Sequence, residues 1–205
     1  MIDTRTEDGL RIVTVNRPDK ANSLTAAMLT DLAAVFEDSD IPRALILTGA
    51  GGKVFSAGAD LEEAHAGLAT SPLWERCSNA LAALPCLTVA ALNGTLAGGA
   101  FGMALACDLR VAVPSARFFY PVAKLGFLPQ PSDPGRLAAL IGPARTKLLL
   151  LAGERFTAEQ ALDFGLIDRI CPLDALMETA RALCADALAG AEPTLHGIKA
   201  MIRQA

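Results

Sequence analysis

The chain has 205 residues, 52% of them hydrophobic and 20% charged, a composition that fills a core and excludes intrinsic disorder. A formal net charge of −4 with no basic stripe argues against a nucleic-acid partner but leaves room for a small anionic ligand held by a few local groups or helix N-termini. The polar start Met1-Ile2-Asp3-Thr4-Arg5 lacks the apolar stretch of a secretion leader, and the longest nearly apolar run, residues 96–107, is too short and glycine-rich to cross a bilayer. The expected setting is therefore the cytoplasm, without membrane contact.

Residues 10–16 alternate as a strand and are broken by Arg17-Pro18-Asp19-Lys20. Thr25 is placed to cap a helix whose apolar residues Met28, Leu29, Leu32, Val35 and Phe36 recur at helical spacing. Residues 44–48 form a short, wholly apolar strand of the buried type, followed by the turn Gly49-Ala50-Gly51-Gly52. Ser71-Pro72 opens a helix that Pro85 ends, and residues 87–92 are a second apolar strand. A helix of small residues is expected over 98–106, strands over 109–113 and 117–120, and helices over 135–141, 144–152 and 158–164. The last of these is introduced by a capping box, Thr157 with Gln160. A final strand is expected at 166–171, then helices at about 173–189 and 194–203. The order predicts one α/β domain: a core of ββα units over residues 1–172 and a helical C-terminal appendage over 173–205.

Two segments carry the chemistry. Phe55-Ser56-Ala57-Gly58-Ala59-Asp60 and Asn93-Gly94-Thr95-Leu96-Ala97-Gly98-Gly99 are both strand ends that run into small residues. Small residues leave backbone N–H groups uncovered and let a ligand come close. Two such segments can aim two amides at one oxygen, the arrangement that stabilises a carbonyl becoming an oxyanion. The five cysteines, Cys77, Cys86, Cys107, Cys171 and Cys184, have no CxxC spacing and mostly sit in apolar runs, which reads as reduced, buried thiols.

With these segments in place, the chain resembles the enoyl-CoA hydratase/isomerase, or crotonase, superfamily. The resemblance is carried in order by Asn16-Arg17-Pro18 through Asn22-Ser23-Leu24 and by Phe55 through Leu61. It continues in Ala91-Leu92-Asn93-Gly94 through Gly98-Gly99 to Cys107-Asp108-Leu109-Arg110, and then in Leu125-Gly126-Phe127-Leu128-Pro129. It ends in Gly153-Glu154-Arg155-Phe156-Thr157-Ala158-Glu159-Gln160-Ala161 with Gly165-Leu166-Ile167-Asp168. It covers nearly the whole chain. It implies a spiral of ββα turns with a helical C-terminal region, assembled as a homo-trimer or hexamer. It also implies an acyl-CoA thioester as substrate, with coenzyme A entering only as part of that substrate and no permanently bound cofactor. The oxyanion hole then maps to the backbone N–H groups of Ala59 and Gly99. Gly98 and Gly99 open a helix whose partial positive charge adds to the hole. The adenine and pantetheine lie along Ala21, Asn22, Ser56, Ala57, Asp60, Leu61 and Gly98, with Arg17 and Lys20 near the phosphates.

The chain departs from the family at the proton-moving positions. Hydratases of the family place two glutamates about the double bond, and these positions fall on Gly102 and Val122, neither of which moves a proton. Three substitutes stand nearby: His65, shortly after the oxyanion segment and the better acid/base at neutral pH; Tyr120; and Asp133 on a proline-rich loop that also holds Gln130. Asp133 is alternatively an N-cap for the helix from Pro134. Tyr120 is alternatively a core aromatic, and His65 a solvated surface residue. The family also continues beyond the Lys199 region, so a more open acyl pocket and altered subunit contacts are expected of a chain ending at Ala205.

Competing motifs fail. In Gly49-Ala50-Gly51 the third glycine of a dinucleotide fingerprint falls on Val54, and there is no P-loop, no GxSxG elbow and no metal-ligand cluster. Two readings from different classes remain. The first is an enzyme that stabilises a thioester oxyanion or enolate; its reaction is of the lyase or isomerase type, as in fatty-acid metabolism, or a decarboxylation or thioester hydrolysis. The second is a catalytically silent acyl-CoA binder or oligomer partner.

Overall fold

The computed structural model describes residues 1–203. The chain begins with an antiparallel hairpin, β1 (Ile2–Glu7) and β2 (Leu10–Val15), turned at Asp8-Gly9 where both residues have positive φ. Helix α1 (Ala26–Phe36) follows, and the Thr25 side chain accepts the Met28 N–H at 3.2 Å, as its sequence predicts.

From there the chain alternates between two sheets. Strands β3 (Ala44–Gly49) and β4 (Val54–Ser56) are followed by helices α2 (Leu61–His65) and α3 (Leu73–Ala83). Strands β5 (Leu87–Leu92) and β6 (Thr95–Ala97) lead through a 3₁₀ turn at Gly98–Ala100 into α4 (Phe101–Ala106). Strands β7 (Leu109–Ala112) and β8 (Arg117–Phe119) lead into α5 (Val122–Leu125) and α6 (Asp133–Leu150). Strand β9 (Phe156–Thr157), helix α7 (Ala158–Phe164), strand β10 (Arg169–Ile170) and helices α8 (Leu176–Ala189) and α9 (Glu192–Arg203) complete the order. One sheet has the order β1-β2-β3-β5-β7-β10, parallel from β2 to β10. The other has the order β4-β6-β8-β9, parallel except at β9. Each turn of chain thus gives one strand to each sheet before returning through helix, which is a spiral of ββα units.

β3 is buried along its whole length, consistent with its unbroken apolar run and its place between two parallel neighbours. The core runs from this sheet through Phe55, Phe101, Phe118 and Phe156, all fully buried. α8 lies on β3, β5 and β7 and buries Leu176, Ala180 and Cys184. α9 is tied down by Lys199, whose Nζ donates to Cys86 O and Asp108 Oδ2, both at 2.6 Å. Arg110 buries its guanidinium against the carbonyls of Leu166 and Cys107, at 2.8 and 2.7 Å, so the Asp-Leu-Arg segment is a brace between helix and sheet. The cysteines are free, and burial pushes the thiols of Cys77 and Cys107 up to about 12, which leaves them inert. No helix among the described residues is long and apolar enough to cross a membrane.

The structure adds the short elements α5 and β9 to the sequence expectation and differs from it further at β1, at the 166–171 strand, at the C-terminal helices and at α6. β1 is an added strand: its polar, half-exposed sequence shows no apolar alternation, and backbone pairing to β2 makes it. The predicted 166–171 strand shrinks to Arg169–Ile170, because Leu166 and Ile167 send their N–H groups back to Ala161 O at the end of α7. The C-terminal helices begin at Leu176 and Glu192, after a 3₁₀ turn at Leu173–Ala175. The helices expected at 135–141 and 144–152 are one element broken at Gly142 (φ 77°, ψ 161°) before Pro143, starting earlier at Asp133 and ending at Leu150.

Candidate active site

The two small-residue segments meet. β4 and β6 run parallel, with Ser56 opposite Leu96, so the chain ends that follow them lie side by side. A methyl group on Gly58 would stand 3.0 Å from Ala97 O and 3.2 Å from Gly99 N. Gly58 also has φ +88°, a conformation that L side chains rarely adopt. Ala59 forms a parallel bridge with Leu24, in which Leu24 N donates to Gly58 O and Asp60 N donates to Leu24 O, both at 2.8 Å. Backbone groups alternate sides along a strand, so the Ala59 N–H faces away from Leu24. Gly99 lies in the first turn of the 98–106 helical stretch, where N–H groups have no partner inside the helix.

Ala59 and Gly99 line the same cavity, of about 170 Å³, together with Ala57, Leu61, Ala97 and Gly98. Its other walls are apolar and aromatic: Trp74, Phe119, Val122, Leu125, Phe127 and Leu128, with Tyr120 and Gln130 as the polar side chains. The structure therefore brings Ala57, Ala59, Leu61, Gly98, Gly99 and Tyr120 together at one place.

Several predicted ligand residues hold the backbone instead of presenting a side chain. Asn22, buried at φ 52°, donates through Nδ2 to Ala50 O and Val54 O at 2.9 and 2.8 Å and accepts the Arg17 N–H at 2.9 Å. Ser56, fully buried, donates from Oγ to Asn22 O at 2.8 Å and accepts the Gly58 N–H at 3.2 Å. Ala21 accepts the Ala57 N–H through its carbonyl at 3.0 Å. Asp60 caps α2 by accepting the Glu62 N–H at 3.1 Å, and its other oxygen takes Arg17 at 2.7 Å. That Arg17 hydrogen bond holds the Asp60 carboxyl below the usual carboxylate range, aided by the Glu63 and Glu62 N–H groups and against a smaller effect of burial. Arg17 is thus already ion-paired, while Lys20 beside it is exposed. His65 is exposed on α2, with Nδ1 2.7 Å from Leu61 O, and is not among the residues that line the cavity.

Asp133 is not the N-cap that its sequence context suggested. Ser132 occupies that position, and Asp133 is fully buried, its Oδ2 accepting the Tyr120 hydroxyl at 3.0 Å. Burial pushes its carboxyl up to about 7. Tyr120 is held by stacking on Phe101, with ring centroids 5.3 Å apart, and burial, then the Asp133 charge, raises its phenol. Of the two positions expected to lack acid/base groups, Val122 lines the cavity and Gly102 lies buried on α4 beside Asp133.

Sequence reading did not single out Trp74. Its ring packs on Gly99, where a Cβ would come within 3.2 Å, and its Nε1 donates to Leu68 O at 2.8 Å. Its place on the apolar face of α3 was the available signal. A side chain at position 99 would press on this ring.

The two-sheet ββα spiral places the chain in the crotonase class of α/β proteins. The family model for enoyl-CoA hydratase/isomerase matches residues 5–205. The chain is 36% identical over 200 residues to a carnitinyl-CoA dehydratase of Citrobacter koseri, covering 93% of this chain and 76% of that one. It is 34% identical over 186 residues to a short-chain-enoyl-CoA hydratase of Clostridium acetobutylicum, covering 86% and 71%. It superposes on the crystal structure of an enoyl-CoA hydratase from Bacillus anthracis with a TM-score of 0.91 at 31% identity, covering 98% of this chain and 82% of that one. The chain belongs to the enoyl-CoA hydratase/isomerase family.

Proposed function

We propose that this protein binds an acyl-CoA thioester with its carbonyl oxygen between the N–H groups of Ala59 and Gly99, and that it stabilises there the enolate formed from that thioester. The observation that carries the reading is the junction of the two segments: Gly58 packs against Ala97 and Gly99, and Ala59 and Gly99 open on one apolar cavity. Donors fixed by a folded backbone need no reorganisation when charge develops on the oxygen, and each contributes on the order of 10²–10³ in rate. The activities for which the two relatives are named, on carnitinyl-CoA and on short-chain enoyl-CoA, support the thioester class. The acyl group occupies the cavity of Trp74, Phe119 and Leu128. The coenzyme A portion follows the edge formed by residues 20–22 and 57–61, with the exposed Lys20 as its phosphate partner. The exposed apolar residues Leu125, Leu128 and Leu151 support self-association, as a homo-trimer or hexamer.

A second reading, a silent acyl-CoA binder, is favoured by one observation: Gly102 and Val122 bring no acid or base to the site. Calorimetric titration with acetyl-, butyryl- and crotonyl-CoA, followed by mass analysis of the products formed from crotonyl-CoA, separates the readings. Saturable binding with product formation is expected. Binding without any product favours the silent binder, and no binding of any acyl-CoA overturns both.

A further inference from the structure

Asp133 is a buried acid with half of its hydrogen-bonding capacity unused. Its Oδ2 accepts the Tyr120 hydroxyl at 3.0 Å, while its Oδ1 is buried with no hydrogen-bond partner among the described residues. Burying a carboxylate oxygen without a partner costs stability, and the residue makes no capping bond to α6 that would offset this. The unpaired oxygen has room because position 102 has no side chain: a methyl group on Gly102 would stand 3.1 Å from Oδ1. On the other side of the pair, Tyr120, the single tyrosine of the chain, lines the cavity that holds Ala59 and Gly99. Its hydroxyl also receives the Gln130 N–H at 3.4 Å.

We propose that Tyr120 is the catalytic residue that exchanges a proton with the α-carbon of the bound thioester, and that Asp133 acts through it as a positioning residue, taking up and returning the hydroxyl proton of Tyr120 from the recess beside Gly102. The inference rests on the acyl-CoA reading above. In the forward step the substrate Cα–H bond breaks and its electron pair enters the enolate, whose oxygen lies between the two N–H groups. The α-proton passes to the Tyr120 oxygen as the hydroxyl proton of Tyr120 passes to the Asp133 carboxylate. Tyr120 ends as a neutral phenol, Asp133 as a neutral carboxylic acid and the substrate as an enolate, so atoms and charge balance without a further reactant. The reverse step returns the proton to carbon.

The ionisable groups facing Asp133 agree with this use. Burial raises its carboxyl to about 7; the Tyr120 hydrogen bond and the charge of Arg136 on α6 oppose this, and Glu75 on α3 adds to it. A group with that value changes charge at neutral pH, where general acid–base catalysis works best. Abstraction needs the carboxylate, so its rate rises as pH passes through about 7.

The test is exchange of the α-hydrogens of butyryl-CoA in D₂O, followed by mass spectrometry from about pH 5 to 9, beside calorimetric binding of the same compound. Wild type should exchange with a limb near pH 7. Tyr120→Phe and Asp133→Asn, which keep shape, should lower exchange by about 10² or more with binding and circular dichroism unchanged. Residual exchange in Asp133→Asn should lack the limb, which a purely structural role would not remove. Exchange within about twofold of wild type in either variant overturns the proposal. So does a wild type that binds butyryl-CoA without exchanging it, although the acyl-CoA reading then stands. Loss of binding by wild type removes both.

Discussion

Replacing Asp133 with asparagine should stabilise the protein, and by an amount that depends on pH. The carboxyl is fully buried, its folded-state value stands near 7 against an ordinary 3.8, and the unfolded chain restores the ordinary value. Between those two values the unfolded chain has released a proton that the folded chain keeps. Raising the pH across that window therefore favours unfolding, and above about 7 the loss is complete. About three pH units at about 1.4 kcal/mol each make a loss of about 4 kcal/mol by about pH 8. The amide that replaces the carboxyl cannot ionise and escapes this loss, while Glu75 and Arg136 act in both proteins and largely cancel. At about 2–4 °C per kcal/mol for a chain of this size, the Tm advantage of Asp133→Asn should grow by about 8–16 °C from about pH 4 to pH 8. Scanning calorimetry across that range checks it. A difference in Tm that stays constant with pH would show Asp133 ionising as an ordinary carboxylate and would refute both the assigned environment and the proton store built on it.

Two other substitutions probe the scaffold of the site and the seating of the last helix. Gly58→Ala forces a side chain into φ +88° and against Ala97 O; it should cost about 1–3 kcal/mol in denaturant unfolding and weaken acyl-CoA binding by misplacing Ala59. Lys199→Met removes both bonds to Cys86 O and Asp108, and hydrogen exchange should accelerate in α9 while α8 keeps its protection.

The two segments that meet at the cavity were legible because they are built of small residues, and small residues are visible in a sequence. Buried strands such as β3 and capped helices such as α1 and α7 were legible for a similar reason: their apolar runs and capping side chains act locally. What was not legible depends on partners distant in the chain. β1 has the composition of a surface loop and is a strand only because β2 pairs with it. Asp133 before Pro134 has the local form of a helix cap, and no local rule shows that Tyr120, thirteen residues earlier, draws the carboxyl inward. Arg17 reads as a free cation until Asp60, forty-three residues away, is found on it. Trp74 reads as core, and only the folded chain places its ring on Gly99. A close backbone approach built on small residues was thus visible in composition, whereas contacts made through a distant side-chain partner needed the fold.

In the proposed function one thioester oxygen sits between the Ala59 and Gly99 amides. The infrared stretch of a thioester carbonyl carbon-13 labelled in butyryl-CoA reports this directly, since two short hydrogen bonds polarise the carbonyl and lower its frequency. A clear downshift is expected on binding to the protein. A bound ligand whose carbonyl keeps its free-solution frequency would contradict it.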